Sequence, residues 1–261
     1  MTVQVLMSTM HRKKLTDLNL ENRNIRDDIL IINQTQDTDV YVDDERNIRM
    51  LNMRELGTSN SRNAAIKNAS GDICIFADDD ICYVKNYKEI ILNEFVKNNR
   101  CDIITFQIMC PDGTPFKSNY MKKERYHNLR TVMKCASIEI AFKREAVINK
   151  SLYLDLEFGL GSRYRIHDDV IFLADAIRKG LKVKYVPIPI VIHPQESSGT
   201  QYNDFLIKSK GAAFARIFGL MGFIVSYAFA IKKRNDYKGK YSFFKFKKLI
   251  SAGCAEYLKT H

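Results

Sequence analysis

One run of residues constrains this chain more than any other: Ile73-Cys74-Ile75-Phe76-Ala77, leading directly into Asp78-Asp79-Asp80. An unbroken apolar run of this length, bounded by polar residues, reads as a strand buried on both faces. The three carboxylates at its end repel one another, and a fold gains nothing by placing them there for their own sake. A divalent cation with a phosphate ligand relieves that repulsion, because hard cations take oxygen ligands. Open α/β sheets also collect ligands at the carboxyl ends of their strands. The plainer alternative is a solvated acidic turn.

The flanking sequence repeats a strand–helix rhythm. Val3 to Ser8 is a short apolar strand, and Leu15, Leu18 and Leu20 fit one helix face. Asp28 to Gln34 is a second strand with a polar end, followed by a turn from Thr35 to Asp39. Ile48 to Met53 is a third strand. The cluster Gly57-Thr58-Ser59-Asn60-Ser61-Arg62-Asn63 supplies N-cap candidates for a helix through Ala69, which Ser70-Gly71 stops. Tyr87 to Asn98 is helical, Asp102 to Met109 and Ser137 to Phe142 are strand-like, and Pro111 to Lys134 is a long surface excursion of the kind that often carries function. The pattern predicts an α/β fold: a mainly parallel central sheet flanked by helices, with a C-terminal helical extension that is basic and apolar.

A second informative stretch is Phe158-Gly159-Leu160-Gly161, followed by Asp168-Asp169 at the start of a helix that Gly180 closes. Carboxylates in a first turn can simply cap the helix. The two glycines upstream allow a tight turn and the close approach of another group. Lys182 to His193 reads as a kinked strand or strand pair, with Pro187 and Pro189 inside it and His193 at its end. Glu196 to Thr200 is a polar loop.

Charge and cysteine usage narrow the setting. The chain has 261 residues and a net charge of +11, which implies an anionic partner. Its six cysteines form no CxxC pair and read as reduced cytosolic thiols. The N-terminus already looks like a strand and not like a secretory leader. The net positive charge is concentrated beyond Lys208. There 211–231 is apolar nearly throughout, with Arg216 its only charge, and Lys232-Lys233-Arg234 and the Lys/Phe/Tyr-rich 241–248 follow. The apolar run approaches the length of a membrane span, yet Arg216 favours a helix packed on the domain or lying in an interface. Lysines interleaved with aromatics suit an anionic bilayer surface. The same composition serves single-stranded nucleic acid, or a basic helix covering the core. No RNP-type motif is present, so no nucleic-acid partner is expected. Two units are expected: 1–205 as a catalytic domain and 206–261 as the extension.

Taken in order, these pieces resemble the family 2 glycosyltransferases, inverting enzymes of the GT-A fold that include bacterial polysaccharide-building transferases. The matching pieces are an initial strand, the Gly57-to-Asn63 helix start, Gly71-Asp72, the acidic strand end from Phe76 to Asp80, Gly159-Leu160-Gly161, the pair Asp168-Asp169, and His193. The likeness spans roughly residues 3 to 200. Two positions depart from the family pattern: Asn33-Gln34 stand where an Asp-Asp pair is common, and Asp168 replaces the usual Glu.

The resemblance implies transfer of a sugar from a nucleotide-diphosphate donor, a UDP-sugar by family habit, to a hydroxyl of a saccharide or lipid-linked saccharide. It makes Asp80 the main ligand of a Mg²⁺ or Mn²⁺ ion, with Asp78 and His193 as further metal contacts. Asp169 becomes the general base and Asp168 orients the acceptor. Thr9, Gln34, Asp37, Arg62, Asp78 and Asp79 become contacts to the nucleotide sugar. The expected location is cytoplasmic, peripheral at the inner face of the cell membrane. Two rivals remain. A nucleotidyltransferase would use a similar sheet but would add a glycine-rich, lysine-bearing phosphate loop, and His11-Arg12-Lys13 lacks the glycines. A non-catalytic basic module would explain the charge but not the buried strand ending in three aspartates.

Overall fold

The computed structural model describes residues 1–37, 39–194 and 202–261; the polar loop expected at 196–200 lies outside them. Ten strands form one sheet among the described residues: β1 (Val3–Met10), β2 (Ile29–Gln34), β3 (Val40–Asp43), β4 (Ile48–Met53), β5 (Ile73–Asp78), β6 (Cys82–Tyr83), β7 (Ile103–Met109), β8 (Arg125–Tyr126), β9 (Ile140–Lys143) and β10 (Val183–Ile192). Their order is β3-β4-β2-β1-β5-β9-β7-β10-β6, with β8 pairing β10. The helices are α1 (Thr58–Asn68), α2 (Tyr87–Lys97), α3 (Arg144–Asn149), α4 (Asp168–Arg178), α5 (Asp204–Phe218), α6 (Gly222–Lys232), α7 (Arg234–Tyr237) and α8 (Phe243–Thr260).

β4, β2, β1 and β5 run parallel, as do β7 and β10. β9 is inserted between the two sets and runs antiparallel to both neighbours, so the sheet is mixed. The strand-like run expected at 137–142 begins one turn later, because Ser137–Glu139 forms a 3-10 turn before β9. The first expected helix is also shorter: Leu15–Leu18 is a single 3-10 turn ended by Asn19 in the left-handed conformation.

The continuous apolar character of β1 and β5 follows from burial on both faces. Leu6, Cys74 and Phe76 point into one core layer with α1 and α4, and Val5, Met7, Ile73, Ile75 and Ala77 point into the other with α2. Phe76 meets Phe142 of β9 and Phe172 of α4 at ring separations of 5.1 and 5.7 Å. This aromatic contact fixes α4 against the strand that ends in the aspartates. β10 is one kinked strand, with register shifts at its two prolines, since proline cannot donate to a ladder.

The stretch Asp204–Lys232 contains an 18-residue window of mean hydropathy 1.8 and is long enough, by composition, to cross a membrane. It does not form one helix. It breaks at Gly219 and folds back, so that Gly222 touches Ala215 and Phe229 returns beside Phe214. Neither α5 nor α6 then has the roughly 20 residues a span needs. α5 is buried between the domain and α8. A side-chain carbon at Gly211 would stand 1.9 Å from the Ile250 carbonyl oxygen, and one at Gly253 1.9 Å from that of Lys208, so the two helix backbones touch where only glycine fits. Ala212, Ala213, Ile217, Cys254 and Tyr257 belong to the same core as the sheet.

Candidate active site

The carboxyl ends of β1, β2 and β5 lie side by side, with Ser8 opposite Asp78 and Thr9 opposite Asn33. Two of the three aspartates at the end of β5 have an arginine partner, and the third faces a histidine. Arg62 Nη2 donates to Asp78 Oδ1 at 2.8 Å, Arg12 Nη2 donates to Asp79 Oδ2 at 2.6 Å, and His193 Nε2 lies 3.5 Å from Asp80 Oδ2. Much of the repulsion expected to require a metal is therefore relieved by the protein itself. Thr9 completes the Asp79 corner: its hydroxyl donates to Asp79 and accepts from Arg12 Nε at 3.1 Å.

Arg62 is the hub. Its side chain is only 6% exposed. Nη1 donates to Asp168 Oδ2 at 2.7 Å, and Nη2 also reaches Ser137 Oγ at 2.8 Å. Burial disfavours its charge, but Asp78, Asp168 and Asp169 more than compensate and raise its pKa. A guanidinium suits this post because its rigid fork serves several acceptors at once. Arg62, expected as a nucleotide contact, pairs here with protein carboxylates.

Local structure explains why these groups meet. The polar face of α1 is tied to the segment before α4: Ser59 Oγ donates to the Phe158 carbonyl at 2.6 Å, and Asn63 exchanges two hydrogen bonds with the Leu154 backbone at 2.9 and 2.8 Å. Gly159, at φ +101°, is indispensable to this packing. A side-chain carbon there would stand 2.5 Å from Thr58 Oγ1 and 3.0 Å from Asp168 Cγ. The N-cap position of α4 is His167, in the left-handed conformation and without a side-chain cap, so Asp168 serves Arg62 and does not cap the helix. Asp169 accepts from the Val170 amide at 2.7 Å.

Burial and the adjacent Asp168 push the Asp169 carboxyl up to about 7, against the pull of Arg62 and Lys117. Lys210 of α5 donates to His167 Nε2 at 3.4 Å. Burial, with help from Lys233, lowers Lys210 to about 8 while Asp169 draws it upward. His167, pushed well below its ordinary value by burial and by Lys210, is the neutral acceptor in this contact. Neither Lys210 nor His167 stands out in the sequence; a lysine at the head of an apolar helix is the one available signal.

The remaining expected residues divide. Gln34 is buried, and its Oε1 has no hydrogen-bond partner among the described residues, which leaves it suited to a ligand. Asn33 is structural: it bonds both the amide and the carbonyl of Arg12, and Asn52. Asp37 is exposed on the turn after β2. Among the described residues no three His, Cys, Asp or Glu side chains gather closely enough to hold a metal ion. Asp78 is drawn to Arg62, which leaves Asp80 and His193 as a pair. They are brought together because β6, just after the aspartates, pairs antiparallel with the end of β10. Two protein donors, one an exposed carboxylate, still fit Mg²⁺ or Mn²⁺, since such ions are usually held by one or two carboxylates plus phosphate oxygens.

The family model described as Glycosyl transferase family 2 matches residues 17–156, more than half of the chain. The chain belongs to glycosyl transferase family 2. Arg62 and the three strand-end aspartates fall inside the matched segment, whereas Asp168, Asp169 and His193 lie beyond it. No curated protein matches the sequence. Among solved structures, the family 2 chain resembles S. aureus TarS with a TM-score of 0.61 at 12% identity, over 93% of this chain and 46% of that one. It thus spans about half of that relative's length. S. aureus TarS 1-349 in complex with UDP-GlcNAc gives a TM-score of 0.64 at 12% identity, over 100% of this chain and 90% of that one. The same TarS segment in complex with UDP gives 0.59 at 11% identity, over 93% and 76%. At these identities the likeness establishes the fold.

Proposed function

We propose that this glycosyltransferase moves a sugar from a nucleotide-diphosphate donor, a UDP-sugar, to a hydroxyl of a saccharide or lipid-linked saccharide, with inversion and with the help of a divalent metal. Residues 1–205 carry the chemistry and 206–261 form the extension. The observation that carries this reading is the Arg62 bridge, which holds Asp78 at the end of β5 and Asp168 at the start of α4 in one cleft. Asp169, next in the chain, is a carboxyl whose raised pKa suits a base working near neutrality.

In the proposed reaction the acceptor hydroxyl gives its proton to Asp169, and its oxygen bonds to the anomeric carbon. The bond from that carbon to the diphosphate breaks on the opposite face, so the configuration inverts. Asp168, held by Arg62, orients the acceptor. Gln34 offers its buried carbonyl oxygen to the nucleotide, and Thr9, Asp79 and Arg12 form the adjoining wall. Asp37 stands at the rim as a further nucleotide contact. A Mg²⁺ or Mn²⁺ ion on Asp80 and His193 would neutralise the charge that develops on the leaving diphosphate. The complexes of TarS with UDP and UDP-GlcNAc support the choice of donor. The six free cysteines suit a reducing, cytoplasmic setting.

The test is thermal stability with UDP, with and without Mn²⁺, followed by donor hydrolysis across a panel of nucleotide sugars. A metal-dependent rise with UDP and hydrolysis of a UDP-sugar support the assignment. A rise with nucleoside triphosphates alone would point to nucleotidyl transfer.

A further inference from the structure

Among the described residues, the outer face of the tail has no partner. Leu220 and Met221 in the turn, then Ile224, Tyr227 and Ile231 along α6, recur at helical spacing and are all exposed, Leu220 by 77%. Phe244, in the first turn of α8, is 81% exposed. It continues the same surface, since Tyr227 packs edge-on against Phe243 and Phe243 against Phe244. The inward face of α6 is different: Gly222, Ser226 and Ala230 are buried. The outer stripe is therefore not core left over from folding, and an apolar surface of this extent marks an interaction site.

Charge decides what it meets. Residues 206–261 contain twelve Lys and Arg against two Asp and Glu, a net of +10 out of the chain's +11. Lys232 follows Ile231 directly, and Lys247 lies over the Tyr227 ring at 5.1 Å. Lys232, Lys240, Lys247 and Lys248 are exposed and make no ion pair among the described residues. A second copy of the chain would set this excess against itself. We propose that the outer face of α6 with the first turn of α8 is a docking surface for an anionic lipid bilayer. The apolar stripe enters the boundary between headgroups and acyl chains, and the lysines bind the anionic headgroups.

The surface adjoins the cleft. α6 returns antiparallel along α5, so its lysine-bearing end comes back beside Lys210, whose amine touches His167 immediately before the acid pair. A bilayer lying on α6 brings headgroup-linked sugars toward Asp169. That consequence rests on the transferase reading; the docking surface itself does not.

The test is co-sedimentation of the full chain with vesicles of phosphatidylcholine alone or mixed with phosphatidylglycerol. The chain should bind the mixed vesicles, less so as salt rises, and should barely bind the neutral ones. The double variant I224E/F244E should lose binding by at least about tenfold, while its melting temperature and its UDP-dependent thermal shift stay those of the wild type. K232E/K247E should weaken binding to the mixed vesicles and leave the melt unchanged. Absence of wild-type binding to mixed vesicles overturns the proposal, as does full binding by I224E/F244E. So does a wild-type dimer in sedimentation that this variant converts to a monomer. Failure of the UDP shift in the wild type would count against the transferase reading alone.

Discussion

Arg62 Nη1 lies 2.7 Å from Asp168 Oδ2, although 106 positions separate the two residues. The pair is buried, and the same guanidinium holds Asp78. Truncating Arg62 therefore leaves carboxylates facing one another without a counter-charge. Arg62→Ala should cost about 3–5 kcal/mol of stability, read as a lowered urea midpoint. Arg62→Lys should recover only part of it, because one ammonium cannot reproduce a fork that serves three acceptors. A wild-type midpoint for Arg62→Ala would show that the bridge carries no weight.

Asp169→Asn removes the proposed base and keeps its shape. Turnover should fall by about 10²–10⁴-fold, with UDP binding unchanged. The fold should at the same time become more stable at pH 8. A carboxyl raised to about 7 in the folded chain and ordinary in the unfolded one costs stability as pH rises between those two values; asparagine bears no such cost. The melts of variant and wild type should diverge from about pH 4 upward and run parallel above about pH 7.

The same group sets the acid limb of the rate profile. Because the base must be ionised, kcat/KM should rise with pH through about 7. Asp168, Arg62, Lys117 and Lys210 are the charges that act on it. Lys210→Met removes a cation that stabilises the ionised form, so the limb should move to higher pH while its shape is kept. An unmoved limb would separate Lys210 from the base.

Asp80 and His193 form the most open corner of the site, and Asp80 is 66% exposed. Asp80→Asn and His193→Ala should fold normally, yet lose the Mn²⁺-dependent part of the thermal shift with UDP while keeping any metal-independent part. A full metal effect in both variants would move the metal elsewhere.

At the crossing of α5 and α8 a single methyl group has no room. Gly253→Ala would put a carbon against the Lys208 carbonyl oxygen and should cost about 1–3 kcal/mol or more as the helices move apart. Gly239→Ala, with nothing within 4 Å, is the control and should melt as the wild type does.

What the sequence makes legible follows its local signals. The buried run from Ile73 and the ordered acidic motifs led to the sheet and to the cleft at its strand ends. Long-range pairing left no such trace. The Gly57–Asn63 stretch reads as a helix cap, yet Ser59 and Asn63 serve the segment before α4 and Arg62 serves two acidic corners. Capping, the plainer reading of Asp168, gives way to an ion pair with a residue far off in the chain. The antiparallel β9 was invisible because an apolar run does not encode its direction. The fold-back at Gly219 was hidden by a composition that suits one long helix equally well.

The helix crossing at Gly211 and Gly253 also limits how a chain like this can diversify. α8 buttresses α5, and α5 braces α4 through Arg216 on Asp175 at 2.7 Å. The terminal segment is thus masonry behind the acid pair and not a detachable tether. Descendants can repaint its outward side to suit another environment without disturbing the chemistry, but none can shed it whole and keep the wall upright.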